Sequence, residues 1–177
     1  MKSAPAGMPA PVGSRRPVLV ASAIAVATGA AGGALTRLDG WYFSLVQPWF
    51  KPPDWLFGPA WSVLFGLMVW SGTMAWRIAG LRTPRAARQL RTQLLGLWAL
   101  NALANVGWSF FFFFQQRPDQ ALFEVAVLWG SIALLIIHLR TYCHKAAWLL
   151  VPYLAWVSFA AMVNLAVVRL NDPFTGT

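Results

Sequence analysis

The sequence has little of what a soluble enzyme ordinarily uses. Of its 177 residues only 11% are charged, and it contains one cysteine and two histidines. Because Cys143 is alone, neither a disulfide framework nor a cysteine-built metal site can form within one chain. No Ser/His/Asp or Cys/His set, phosphate-binding glycine loop or pair of intramembrane carboxylates is present. The sequence therefore predicts neither a conventional enzyme nor an obligatory cofactor.

Hydrophobic residues, by contrast, make up 58% of the chain, and aromatic residues make up 15%. They fall into apolar runs of about twenty residues, the length that crosses a bilayer as a helix. The formal net charge of +9 could indicate nucleic acid. Basic residues between membrane spans, however, are an orientation signal. We therefore expect membrane lipid as the surroundings and no nucleic-acid partner.

The apolar runs predict an all-α membrane protein, a bundle of five transmembrane helices. Its membrane domain covers 18–171, with spans at about 18–35, 57–79, 92–114, 121–139 and 146–168. Residues 1–17 are rich in Pro, Ala and Gly and predict a disordered extension, and 172–177 form a C-terminal tail. An alternative stays open in which Ser14-Arg15-Arg16 begins a cleaved signal peptide.

Lysine and arginine are distributed unequally across the predicted membrane. The N-terminus, second loop and fourth loop hold ten, and the other side holds four. The positive-inside rule then predicts a cytoplasmic N-terminus and an external C-terminus. We expect the bacterial inner membrane, where spans of this hydrophobicity would be retained.

The segment 41–61, WYFSLVQPWFKPPDWLFGPAW, joins the first two spans and is called the Trp/Pro segment below. It contains four of the eleven tryptophans and four of the twelve prolines. Prolines prevent a continuous helix because they lack a backbone N–H, yet the segment is too aromatic for a solvated loop. It predicts a rigid, ordered cap lying against an apolar surface.

Three helical stripes combine aromatic and amide side chains at spacings of three or four residues. They are Asn101, Asn105 and Trp108 on the third span; Trp61, Phe65 and Met68 on the second; and Trp156, Ala160 and Asn164 on the fifth. Such stripes are typical of helix packing, and amides of hydrogen bonds between helices. Alternatively, the three tryptophans and an amide converge below the cap, forming a cavity for a large, flat, apolar ligand.

Three motifs resemble those of the translocator protein family, also called tryptophan-rich sensory proteins. They are the Trp/Pro segment, LWALNALANVGWSFFF in the third span, and AAWLLVPYLAWVSFAAMVNLAVVRLN in the fifth. The resemblance covers about 41–171. It implies a five-helix bundle, often a homodimer, that binds porphyrins, sterol-like or benzodiazepine-like ligands between the first loop and the helices.

Carried over by motif, the resemblance implies a set of ligand contacts that are all aromatic, amide or small in this chain: Tyr42, Trp61, Phe65, Asn105, Trp108, Trp156 and Ala160. The implied ligand is a tetrapyrrole such as protoporphyrin IX. Two departures are visible. Gln47 replaces the lysine that many members carry, and Leu165 replaces the tyrosine of the sterol motif, so cholesterol is not expected.

Three functions remain open from the sequence. The first is a binding and sensory membrane protein for porphyrins that regulates tetrapyrrole or stress responses. The second is a transporter of porphyrin or another apolar metabolite, and the third a light-dependent porphyrin-degrading enzyme. Glu124, near the start of the fourth span, could take part in proton or ligand chemistry, or simply lie where a helix N-terminus favours negative charge.

Overall fold

A computed structural model describes residues 15–171 and Phe174. Over these residues the chain is all-α, with no strand. Five helical stretches are long and apolar enough to cross a membrane: Arg16–Leu35, Asp54–Gly80, Pro84–Phe114, Pro118–Arg140 and His144–Asn171. The prediction of an all-α membrane protein with five spans is confirmed.

Proline sets several of the helix boundaries. The elements in chain order are α1 (Arg16–Leu35), α2 (Gly40–Ser44), a 3₁₀ turn (Asp54–Leu56), α3 (Phe57–Gly80), α4 (Pro84–Ser109), a π-helical turn (Phe110–Phe114), α5 (Pro118–Arg140), α6 (His144–Trp148) and α7 (Val151–Asn171). Helices α1, α4 and α5 carry proline at their first or second position, where a missing N–H leaves no hydrogen bond unmade.

The predicted span limits need three corrections. The third begins at Pro84 rather than near 92, so Arg85, Arg88 and Arg91 lie on α4 and not in a loop. Hydropathy locates the apolar part of a helix, whereas this helix continues into its polar end. The fifth begins at His144 and ends at Asn171, with a break before Pro152, which cannot donate a backbone hydrogen bond. The fourth is Pro118–Arg140, which puts Glu124 in the second turn.

The predicted termini fall mostly outside the described residues. Of the predicted extension over 1–17, only the last three positions are among the described residues. Two of these, Arg16 and Pro17, belong to α1. Of the tail over 172–177, only Phe174 is described.

The core lies between α3, α4, α5 and α7, and α1 packs at its edge. Along α5, Leu128, Ile132 and Leu135 are almost completely buried, at the spacing of one helical face. Within α1, which is described in full, only Thr28 and Gly32 are buried. Space between α1 and the remaining helices is therefore where cavities can form.

A chain of hydrogen bonds joins α4, α5 and α7 inside this core. The Asn101 amide donates to Ser131 Oγ (2.9 Å), and the Asn105 amide donates to the Tyr153 hydroxyl (3.1 Å). Tyr153 in turn donates to Asn101 Oδ1 (3.4 Å). Asn101 and Tyr153 are both 0% exposed. The helix-to-helix interpretation of Asn101 is thus the one that its contacts support.

We expect Tyr153→Phe to lower the free energy of unfolding by about 1–3 kcal/mol, because it leaves buried amide groups of Asn101 and Asn105 without a partner. Tyr142→Phe is the matched control, since that ring packs against His138 and Arg82 near a helix end. It should change stability by less than about 0.5 kcal/mol. Denaturant unfolding in detergent measures both, and equal effects would contradict the network's importance.

Candidate ligand-binding site

A cavity of about 520 Å³ lies below the Trp/Pro segment. Its walls come from α1, α3, α4 and α7, from the π-helical turn and from the chain between α1 and α3. Among the described residues, α5 contributes none. The volume is in the range of sites that bury a drug-sized ligand.

Most of the ligand contacts predicted from the sequence meet in this cavity. Its wall includes Tyr42, Trp61, Phe65, Asn105, Trp108 and Ala160. Trp156 is not part of the wall, because its ring packs against Phe57 (centroids 5.6 Å apart) and Phe159 (6.0 Å). Since Phe57 does line the cavity, Trp156 supports the wall from behind.

The π-helical turn supplies aromatic rings that sequence reasoning missed. It brings Phe112 and Phe113 into the cavity wall, and both pack against Trp108, with centroids 5.3 and 5.9 Å away. A π-turn adds a residue to one helical turn and so changes which side chains share a face. The run of five phenylalanines was the sole signal in the sequence.

A bidentate contact from the end of α7 anchors the Trp/Pro segment. Asn171 Oδ1 accepts from the Val46 backbone N–H (2.8 Å), and Asn171 Nδ2 donates to the Val46 carbonyl (3.0 Å). No pattern in the sequence predicted this role for Asn171. The contact joins positions 125 residues apart, which no local pattern can reveal.

Tyr42, near the start of the Trp/Pro segment, bonds to Asp54, which lies 12 residues further along it. The Tyr42 hydroxyl donates to Asp54 Oδ1 (2.6 Å), and Lys51 Nζ lies 2.5 Å from the same oxygen. Burial, and then the neighbouring carboxylate, raise the pKa of Tyr42 above its ordinary value. The hydroxyl proton is engaged by Asp54, so Tyr42 offers the cavity mainly its ring.

The ordered cap has an inner and an outer aromatic face. Trp61 lines the cavity and Trp41 packs against Phe112 (6.3 Å), whereas Trp49 and Trp55 are 95% and 71% exposed. The segment is thus held by its own contacts and by α7.

Three described residues of the cavity wall have polar atoms without hydrogen-bond partners. Both amide atoms of Gln47, both of Asn164 and the Trp108 indole N–H are buried with no hydrogen-bond partner among the described residues. All three residues line the cavity, and Asn164 is 1% exposed. Such groups are unfavourable when left unpaired, and a turn of these side chains toward the cavity would let an occupant with polar edges pair with them.

Comparison with known proteins identifies the family of this chain. The TspO/MBR family profile matches residues 20–170. The chain belongs to the TspO/MBR family. It is 37% identical to the tryptophan-rich protein TspO of Chlorobaculum tepidum over 84% of this chain and 91% of that protein. It is 39% identical to the protein of the same name from Archaeoglobus fulgidus, over 86% and 96% respectively.

Relatives with other names have similar coverage. The translocator protein of Bos taurus is 33% identical over 81% of this chain and 83% of its own length. The CrtK protein of Rhodobacter capsulatus is 34% identical over 84% of this chain. Membership of the TspO/MBR family, with five apolar helices, establishes an integral membrane protein related to sensory and translocator proteins.

Glu124, Leu165 and Arg169 lie away from the cavity of this TspO/MBR protein. Glu124 packs against Gly107 of α4, where an added Cβ would come within 2.9 Å of its carboxylate. Leu165 and Arg169, at the position of the sterol motif, are exposed on α7. Over the residues described, no cluster of His, Cys, Asp or Glu could hold a metal ion.

We expect Asn171→Ala to loosen the Trp/Pro segment without changing helix content. Losing the bidentate contact should weaken local protection by about 1.4 kcal/mol, and the Val46 amide should exchange about tenfold faster. Hydrogen-exchange mass spectrometry measures this, with the exposed Arg169→Ala as the control on the same turn. Unchanged exchange at Val46 would mean that other contacts hold the segment.

Proposed function

We propose that this protein binds a flat, apolar ligand with polar edges, of the tetrapyrrole class and such as protoporphyrin IX, and acts as a membrane sensor of it. The observation that carries the proposal is the combination of aromatic faces and unpartnered polar atoms in one cavity. The cavity lies between α1, α3, α4 and α7, beneath the Trp/Pro segment.

The aromatic part of the wall matches the faces of such a ligand. Trp61 and Phe65 lie together on α3 with centroids 5.6 Å apart and a 33° interplanar angle. Trp108 and Phe112 form a similar pair, 5.3 Å apart at 34°. Extended π-systems pack favourably in offset or tilted arrangements on such rings. Two aromatic walls of this kind favour a broad, planar molecule over a compact one.

The polar part of the cavity wall matches the edges of such a ligand. Gln47 and Asn164 carry both donors and acceptors, and the Trp108 N–H adds a donor. A wholly apolar occupant would leave each of these groups unpaired, at a cost of about 1–3 kcal/mol for each. Ring nitrogens and carboxylate side chains of a tetrapyrrole can pair with them. Lys51 also lines the cavity, where its ammonium group is paired with Asp54.

The names of the relatives support the sensory interpretation and a second candidate. One relative, from Cereibacter sphaeroides, is a tryptophan-rich sensory protein, whereas the bovine relative is a translocator protein. Transport of the same ligand is therefore the alternative. A third, light-dependent porphyrin degradation, would rely on the ligand's own photochemistry next to tryptophan.

The charge distribution supports one orientation in the membrane, which we include in the proposal. Exposed arginines gather where α3 ends and α4 begins, namely Arg77, Arg82, Arg85 and Arg88. The positive-inside rule would place this end, with the start of α1, in the cytoplasm. The ligand cavity would then open toward the external side of a bacterial inner membrane.

We expect Asn164→Leu to weaken porphyrin binding and yet stabilise the empty protein. The change removes a buried amide that has no partner, so it should raise the free energy of unfolding by about 1 kcal/mol. It should also remove hydrogen bonds to the ligand, raising Kd about tenfold. Tryptophan-quenching titrations in the dark and denaturant unfolding measure the two effects.

Asn101→Leu is the matched control for that experiment. Its amide is buried but hydrogen bonded and lies outside the ligand cavity, so it should destabilise the protein while changing Kd less than about twofold. If Asn164→Leu instead destabilises the empty protein and leaves Kd unchanged, its amide serves packing and the ligand assignment is wrong.

The same preparation distinguishes the three functions. Reversible quenching in the dark without any change of the porphyrin supports binding and sensing. A modified porphyrin that appears only under illumination, and less in a Trp108→Phe variant, supports photodegradation. Uptake of porphyrin into proteoliposomes, faster than into protein-free vesicles, supports transport.

A further inference from the structure

A second cavity, of about 330 Å³, lies between α1, α3 and α4. We name it the α1 groove. Three helices form its wall, mostly with apolar side chains. Helix α1 contributes Arg16, Pro17, Val20, Ala21, Ile24, Ala25 and Thr28. Helix α3 contributes Phe65, Met68, Val69, Gly72 and Trp76, and α4 contributes Leu94, Leu95, Trp98, Asn101 and Ala102. It occupies the half of the bundle that includes the start of α1.

Phe65 separates the α1 groove from the ligand cavity. Among the described residues it alone lines both. A Cβ placed on Gly29 would lie 3.0 Å from the Phe65 ring, so that ring packs directly against α1. The groove is therefore a distinct space that ends near the middle of the membrane, and not an extension of the ligand cavity.

The chemistry of the groove is the reverse of that of the ligand cavity. Apart from Arg16 at its outer end, its polar residues are Thr28 and Asn101. Thr28 donates to the Ile24 carbonyl (2.9 Å) and the Asn101 amide to Ser131 (2.9 Å). Neither side chain has an unpartnered polar atom buried in the groove. Apart from the indole N–H groups of Trp76 and Trp98, the interior is apolar and suits a hydrocarbon chain.

The rim and length of the groove fit a lipid tail. Val20, Ile24 and Leu95, on its edge, are 58%, 48% and 52% exposed on helices that span the membrane, so the groove opens sideways to lipid. From Pro17 to Thr28 the helix rises about 16 Å. That is close to half of the roughly 30 Å hydrocarbon core, the depth reached by one acyl chain of one leaflet.

Positive charge lies at the outer end of the groove. The Arg91 guanidinium stacks 4.7 Å from the ring of Trp76, a groove residue, and its Nε is buried without a hydrogen-bond partner. One turn further along α4, Leu94 and Leu95 line the groove. Arg16 lines the end itself. A phosphate at that end would lie close to cationic side chains, directly above the hydrocarbon path.

We propose that the α1 groove binds one acyl chain of an anionic glycerophospholipid, whose phosphate pairs with Arg91. The lipid comes from the leaflet next to the start of α1. This inference does not depend on the ligand of the other cavity.

Electron paramagnetic resonance tests the proposal with full-length protein in phosphatidylcholine liposomes. The probe is phosphatidylglycerol carrying a nitroxide deep in one acyl chain. Wild-type protein should give a slowly exchanging, motionally restricted component. Ala21→Phe, which fills the groove, should abolish it. Ala27→Phe, on the exposed face of the same helix, is the matched control and should retain it.

A second pair of variants tests whether the protein recognises the charge of the lipid headgroup. Arg91→Gln should lower the preference for phosphatidylglycerol over phosphatidylcholine roughly fivefold, the contribution of one basic residue at a membrane surface. The exposed Arg88→Gln should lower it less. Helix content should persist in all four variants, which excludes misfolding.

Two outcomes would overturn the proposal. One is an equal restricted component in Ala21→Phe and Ala27→Phe, which would mean that lipid does not enter the groove. The other is a dimer that Ala21→Phe alone dissociates, which would mean that a second copy of the chain covers it.

Discussion

A bilayer core offers no water, so every polar group there must find a partner in protein or ligand. One hydrogen-bonded network inside the bundle meets that constraint. Asn101, Asn105 and Tyr153 satisfy one another across α4 and α7, and Ser131 adds α5. Because of this constraint, a polar group left unpaired indicates a place where a partner is missing. Asn164 and Gln47 stay unpaired only where the protein encloses a cavity.

These contacts fix the walls of the cavity beneath the Trp/Pro segment. The hydrogen-bonded core fixes α4 against α7, and these helices carry much of the cavity wall. Asn171, at the end of α7, then holds the Trp/Pro segment at Val46. The prolines of that segment reduce the conformational freedom that is lost on ordering it. A cavity whose walls are already in place binds without a large ordering cost. Binding energy therefore goes into recognising the ligand.

Periodicity within helices predicted the spans and much of the cavity wall. It could not predict contacts between residues that are distant in the sequence. Spacing and hydropathy gave five spans, and stripes with family motifs identified Asn105, Trp108 and Trp61 as facing one interior space. A stripe indicates a face, however, and not the neighbour of that face. Trp156 therefore lies behind Phe57 instead of at the cavity. The π-helical turn and the Asn171 anchor escaped prediction because the first alters the helical period and the second is non-local.

The central claim is that the ligand occupies the cavity beneath the Trp/Pro segment. The most direct measurement is a structure of the protein loaded with protoporphyrin IX in the dark. We predict the macrocycle between the rings of Trp61 and Trp108, with a polar edge in hydrogen-bond reach of Asn164. Porphyrin found instead in the α1 groove, or against exposed aromatic residues such as Trp148, would contradict the account.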